Sequence, residues 1–213
     1  MGRDEIVFLL IGLKWTVALS AVGFVCGCIA GLGIALARTC GFRSVEKLTA
    51  GYIAVFQGTP LLMQLFVVYY GLALIGIKID AWAAVAVGLT LHASAYLGEI
   101  WRGAIEAVPR GQTEAAKALA LSYRYRMKDI VLPQALRISL PATIGFLVQL
   151  IKGTSLASIV GFTELTRAGN IISNQIFQPL TVFAIVGMLY FIMCCPLTIY
   201  GAYLERKFAA SAR

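Results

Sequence analysis

Residues 15 to 37 form an unbroken run of 23 residues without a charge, closed at one end by Lys14 and at the other by Arg38. A hydrocarbon core about 30 Å thick takes about 20 apolar residues to cross as a helix, so this stretch fits a membrane span. Within it Gly23, Gly27 and Gly31 recur every fourth residue. That spacing lays bare backbone along one stripe and predicts close packing on a neighbouring helix rather than on lipid. The start of the chain carries Asp4 and Glu5 in place of the basic region of a cleaved signal. It is read as a retained segment, with residues 5 to 13 along the membrane surface.

The remainder of the chain has the same character. It is 60% hydrophobic and 13% charged, whereas a water-soluble domain carries about 25% charged residues. Its 213 residues leave room for several spans and short loops, so a single membrane domain over 1–213 is expected. A second apolar run, 52 to 77, is interrupted by Gln57-Gly58-Thr59-Pro60. Proline removes a backbone donor and disfavours helix just before it, which predicts that helix two starts at Pro60. Further spans are expected at 81–104, 138–161 and 180–203, the last kinked at Pro196. The fold class is all-α, a polytopic bundle of five transmembrane helices.

Twelve basic residues fall on one side of these spans: Arg38, Arg43, Lys47, Arg110, Lys117, Arg124, Arg126, Lys128, Arg137, Arg206, Lys207 and Arg213. The other side has Arg3, Lys78 and Arg167. Lysine and arginine accumulate on the cytoplasmic side, so the N-terminus is expected outside and the C-terminus in the cytoplasm. The net charge of +8 then needs no nucleic acid to explain it. The five cysteines are an odd number, and His92 is remote from them; no metal site or disulfide framework is expected. Five spans without an internal repeat do not divide into two halves, although transport pathways commonly lie between related halves. A partner chain, identical or similar, is therefore expected.

The longest loop, 106–136, holds the most specific signal. Pro109 and Gly111 break structure, Thr113 is the expected N-cap, and Glu114 places negative charge at the positive end of a short helix over 115–121. So short a helix is marginal alone and is expected to dock into a groove on another protein. Glu114-Ala115-Ala116, then Ala120, then Ile130-Val131-Leu132-Pro133 resembles the signature loop of permease subunits in ATP-binding-cassette importers. Four further blocks resemble the polar amino acid branch: Gly58-Thr59-Pro60-Leu61-Leu62-Met63-Gln64-Leu65, Ala95-Tyr96-Leu97-Gly98-Glu99-Ile100-Trp101-Arg102-Gly103, Gly111-Gln112, and Lys152-Gly153-Thr154-Ser155-Leu156-Ala157-Ser158, with a Leu204-Glu205-Arg206 ending. Two positions depart from the pattern. Ala120 stands where the family usually has glycine, predicting a bend made with φ below zero, and Gln57 stands where the branch usually has arginine.

The resemblance implies a type I importer transmembrane fold in a bacterial cytoplasmic (inner) membrane. It also implies that Glu114, Ala115, Ala116, Ala120 and Leu121 belong to a coupling helix seated in an ATPase subunit. Two such ATPase subunits would bind ATP and Mg, a second permease would complete the path, and a solute-binding protein would deliver a polar amino acid. The sequence has no Gly-x-x-x-x-Gly-Lys-Ser/Thr phosphate loop, so the chain is read as a transport subunit, not an enzyme, with no cofactor of its own. Arg124, Arg126 and Lys128 are expected to add a secondary attraction to anionic lipid.

Charged groups at bilayer depth cost about 2.5 to 3.5 kcal/mol each on insertion scales, so they usually face protein and often mark function. Glu99 lies seven residues after His92 and three before Arg102, on one helical face; it reads either as a pathway carboxylate or as the partner of Arg102. Lys152, three residues after Gln149, precedes Gly153-Thr154-Ser155. Thr154 and Ser155 read equally as pathway groups or as inter-helix hydrogen bonders, and Lys152 as a pathway group or a snorkelling side chain. Glu164 could hold an ammonium group near the outer end of span four or sit in water. Gln64, His92 and Gln149 complete the pathway candidates. Two rival readings are an ion-driven transporter, with Glu99 or Glu164 as proton carrier, and a membrane scaffold without transport.

Overall fold

The structure, a computed structural model, describes residues 2–210; Arg213, counted above on the basic side, lies outside them. Every regular element among the described residues is helical. In chain order they are α1 (Arg3–Arg38), α2 (Arg43–Gly58), α3 (Leu61–Leu74), α4 (Ala81–Glu106), α5 (Arg110–Ala118), α6 (Tyr123–Ser158), α7 (Leu165–Ile176) and α8 (Pro179–Ala210). Helices α1, α4, α6 and α8 are long and apolar enough to cross a membrane, and the bent pair α2–α3 makes a fifth candidate.

The glycine stripe on α1 packs on α4. A Cβ on Gly27 would stand 2.5 Å from the Cβ of Ala93, one on Gly23 would stand 3.0 Å from that of Leu89, and one on Gly31 would meet Leu97 and the Ser94 carbonyl at 3.1 Å. Small residues here let two backbones approach as no larger side chain would. Around this seam lies the main core, in which Leu19, Val85, Leu89, Ala93 and Leu97 pack with Phe146 and Leu150 of α6. The indole of Trp101 on α4 donates to Thr143 Oγ1 of α6 at 2.9 Å and ties the two helices near their basic end.

Three expectations are corrected. Residues 5 to 13 do not lie flat: α1 is continuous from Arg3. The physical reason is burial, because Leu9 joins a core with Leu165, Ala168, Val182 and Val186, and Gly12 lies against the backbone of Leu165. The second segment starts earlier than Pro60. Arg43–Gly58 is helical, and the chain then turns by 106° before Leu61, so the proline bends the segment rather than opening it. The helix that carries the fourth span begins at Tyr123 instead of residue 138. It opens through a wide π turn at Arg126–Val131, just ahead of Pro133, whose missing N–H cannot serve the carbonyl four residues back. The helix of the fifth span, α8, carries Pro196 in its interior.

Candidate functional site

The break between α2 and α3 creates the first element of a site. In an unbroken helix the carbonyl of Phe56 would accept from residue 60, which is Pro60 and has no N–H. The carboxamide of Gln64 fills that role, its Nε2 donating to Phe56 O at 2.7 Å, Thr59 O at 2.9 Å and Thr59 Oγ1 at 3.0 Å. The carbonyl of Val55 accepts in turn from the Thr59 hydroxyl at 2.7 Å. Gln64 is thus occupied as a splint. Its remaining atom, Oε1, lies 3.0 Å from His92 Nδ1. A carboxamide oxygen only accepts, so Nδ1 donates, and Nε2 is the ring's other polar atom.

His92 lies tilted against Tyr96 with ring centroids 4.5 Å apart, and Tyr96 stacks on Phe146 at 5.5 Å. Beside them opens a hollow of about 570 Å³, walled by Gln57, Thr59, Pro60, Leu61, His92, Tyr96, Gln149 and Gly153. No formal charge lines it. Gly153 belongs to this wall because a Cβ there would stand 3.0 Å from the Leu61 side chain, which lets α6 approach the break closely.

The other pathway candidates are elsewhere. Glu99 is paired with Arg102, which also pairs with Glu106 in a ladder along the end of α4. Lys152 is exposed on a separate groove between α6 and α8. Thr154 is fully buried and donates to Ile151 O at 2.7 Å, while Ser155 donates to Lys152 O at 2.7 Å. Both hydroxyls satisfy carbonyls where α6 tightens into a 3-10 turn over Thr154–Ser158.

Glu164 is fully buried and caps α7, accepting from the N–H groups of Thr166 at 2.9 Å and Arg167 at 2.8 Å. It also accepts from the hydroxyls of Tyr190 at 2.9 Å and Thr16 at 3.4 Å. Glu164 therefore knits α1, α7 and α8 together. Sequence reasoning had Gln64, His92 and Gln149 but missed Thr59, Tyr96 and Gly153, and it noted Gln57 only as a departure. The available signal was the break itself, since irregular backbone at membrane depth is tolerated only where it is buried or lines a cavity.

The second element is α5. It begins at Arg110 after Pro109, so Thr113 is not the N-cap, and Glu114 lies beyond the first turn, where the helix dipole has largely faded. Proline ahead of the first turn fixes the entry, and the helix starts there instead of three residues later. Its far end is a Schellman motif: Leu121 N–H donates to Ala116 O at 3.1 Å and Ala120 N–H to Lys117 O at 2.9 Å. That closure needs a left-handed residue, and Ala120 supplies it with φ of 55°. The expectation of φ below zero is corrected: two hydrogen bonds outweigh the side chain's preference. Glu114, Ala115 and Ala120 are exposed, Leu121 is half-buried, and Ala116 is buried, holding the helix to its own chain. Leu119, Tyr123 and Tyr125 add exposed apolar surface beside it.

Residues 23–210 match the family of binding-protein-dependent transport system inner membrane components. The arginine transport system permease protein ArtQ of Bacillus subtilis is 36% identical over 204 residues, covering 95% of this chain and 93% of its own length. The L-cystine transport system permease protein TcyB of the same organism is 32% identical over 197 residues, covering 92% and 84%. A chain in the crystal structure of an amino acid ABC transporter with histidines superposes with a TM-score of 0.88 at 32% identity, over 96% of this chain and 95% of that one. A chain of the inward-facing MetNI methionine ABC transporter, 21% identical, shares the fold with a TM-score of 0.82 over 97% of this chain and 99% of that one. With this match along nearly its whole length, the chain belongs to the binding-protein-dependent transport system inner membrane components, the permeases of ABC importers.

Proposed function

We propose that this chain forms, with a second permease that is identical or homologous, the path of an importer for a polar amino acid in the bacterial inner membrane. A solute-binding protein delivers the substrate on the outer side. Two ATPase subunits, which bind ATP and Mg, drive the cycle from the cytoplasm, where α5 and the C-terminus lie. The observation that carries this reading is α5, a short, exposed helix pinned by Ala116 and closed by a Schellman motif. It is shaped to transmit movement and too short to stand alone.

Glu114 and Ala115 face outward for the ATPase, Ala120 and Leu121 set the angle at which the helix is held, and Ala116 anchors it. The hollow at the α2–α3 break is the substrate subsite, with Gln57, Thr59, His92 and Gln149 offering uncharged hydrogen-bonding groups. Glu99, Lys152, Thr154, Ser155 and Glu164 shape the helices around the path. Reconstituted with its ATPase, Glu114→Lys is expected to lose tenfold or more of the substrate-stimulated hydrolysis while still co-purifying. Unchanged stimulation would sink the coupling assignment.

A further inference from the structure

The helix break fixes which proton His92 carries. One end of the Gln64 carboxamide meets two carbonyls, Phe56 O at 2.7 Å and Thr59 O at 2.9 Å. Carbonyls only accept, so that end is the NH2 group, and turning the amide over would set its oxygen against both. The oxygen, Oε1, is thereby held 3.0 Å from His92 Nδ1 and needs a donor there. Nδ1 keeps the proton. No carboxylate stands among the walls of the hollow to support an imidazolium, and in the neutral ring Nε2 is left with a lone pair.

That lone pair has no hydrogen-bond partner among the described residues, yet it is not sealed in. The buried side-chain nitrogens left unpaired there are Arg38 Nε and Trp82 Nε1. Because His92 walls the hollow, Nε2 opens onto it. The ring of Tyr96, 4.5 Å away between centroids, walls the same hollow. An amino acid brings a carboxylate, which only accepts, and an ammonium group, which only donates. A lone-pair nitrogen beside an aromatic ring suits the ammonium on both counts, by hydrogen bond and by attraction to the ring face. The carboxylate is left to the amides of Gln57 and Gln149 in the same walls.

We propose that His92 Nε2 receives the α-ammonium group of the substrate, and that Gln64, which is not part of the walls, is the positioning residue that sets this polarity by locking the ring tautomer. The ammonium assignment rests on the placement of the substrate in this hollow; the tautomer does not. His92 is the sole histidine of the chain, so its two ring nitrogens can be read directly. Permease labelled with nitrogen-15 histidine, purified through a tag without histidine and assembled with unlabelled ATPase, is expected to show a protonated Nδ1 and an unprotonated Nε2. An imidazole side chain in water favours the opposite tautomer. Gln64→Leu should therefore lose the arrangement, whereas Thr59→Val, which loosens the same break but leaves Oε1 on the ring, should keep it. Should Gln64→Leu fail to assemble, the spectra of the unmodified complex and of Thr59→Val decide.

The probe for the ammonium is the one of the twenty L-amino acids that the reconstituted importer takes up fastest. It should move the Nε2 resonance toward the protonated range and leave Nδ1 protonated, while its analogue with hydrogen in place of the α-amino group should move neither. An Nε2–H tautomer or an imidazolium in the unmodified complex would overturn the proposal, as would an unchanged tautomer in Gln64→Leu. So would a still Nε2 resonance with the transported amino acid, or equal movement with its analogue. A complex that shows the locked tautomer but takes up no amino acid would count against the importer reading alone.

Discussion

Replacing Ala120 with glycine should strengthen the closure of α5. Ala120 holds φ at 55°, and a side chain in the left-handed region costs roughly 1 to 2 kcal/mol. Glycine relieves that strain but brings extra freedom to the open state, which takes back about 0.5 to 1 kcal/mol. The net gain is about 0.5 to 1 kcal/mol, or a factor of about two to five in the local opening equilibrium. The two amides that report it are those of Ala120 and Leu121, whose bonds to Lys117 and Ala116 make the motif. Hydrogen exchange of the reconstituted complex, measured residue by residue, should slow by that factor in A120G. A β-branched residue fits the left-handed region worse than alanine, so Ala120→Val should speed it. If A120G exchanges as fast as the unmodified protein, the strain assigned to this position is not there.

Gly27→Leu should drive α1 from α4, because its first side-chain atom already meets Ala93 at 2.5 Å. A loss of about 1 to 3 kcal/mol is expected for such overpacking, read as a lower melting temperature in detergent, whereas Gly33→Ala, with open space around it, should melt no lower than the unmodified chain. Gln64→Leu removes both the donor that serves Phe56 O and the oxygen that accepts from His92 Nδ1. It should cost about 1 to 3 kcal/mol for buried groups left unpaired, and an unchanged melting temperature would refute the splint. Gln57→Arg introduces a cation into a pocket wall that has no formal charge. Uptake of cationic amino acids should fall relative to acidic ones by on the order of tenfold, measured by competition in proteoliposomes; an unaltered ratio would separate this hollow from the path.

The spans and the glycine stripe were legible because both are one-dimensional patterns, a length of apolar chain and a period of four. A break at Pro60 was legible for a similar reason, since a missing N–H is written in the residue type, but it read as the start of a helix and not as a bend within the segment. What serves the orphaned carbonyl was not. Gln64 stands four residues past the proline, and only the fold brings its amide back to Phe56 while turning its oxygen to His92. The start of α5 misled in the opposite way. Thr113 has the right chemistry for an N-cap, yet Pro109 and the Schellman closure fix the helix at both ends, and local preference yields to that frame.

The same competition shows how most of the intramembrane polar groups are engaged within the fold. A polar group at bilayer depth has two employers, a ligand or a backbone defect, and the sequence shows the group without its employer. Thr154 and Ser155 serve carbonyls at the tightened end of α6; Glu164 serves the bare N–H groups opening α7; Gln64 serves the gap at Pro60. Each lies within five residues of the irregularity it repairs. His92 lies well inside regular helix, and Gln149 stands five residues ahead of the tightened turn at Thr154. They reach the hollow at the break, and His92 spends only one of its two nitrogens on Gln64. On the proposed placement of the substrate in this hollow, His92→Ala should impair transport more than Thr154→Val does.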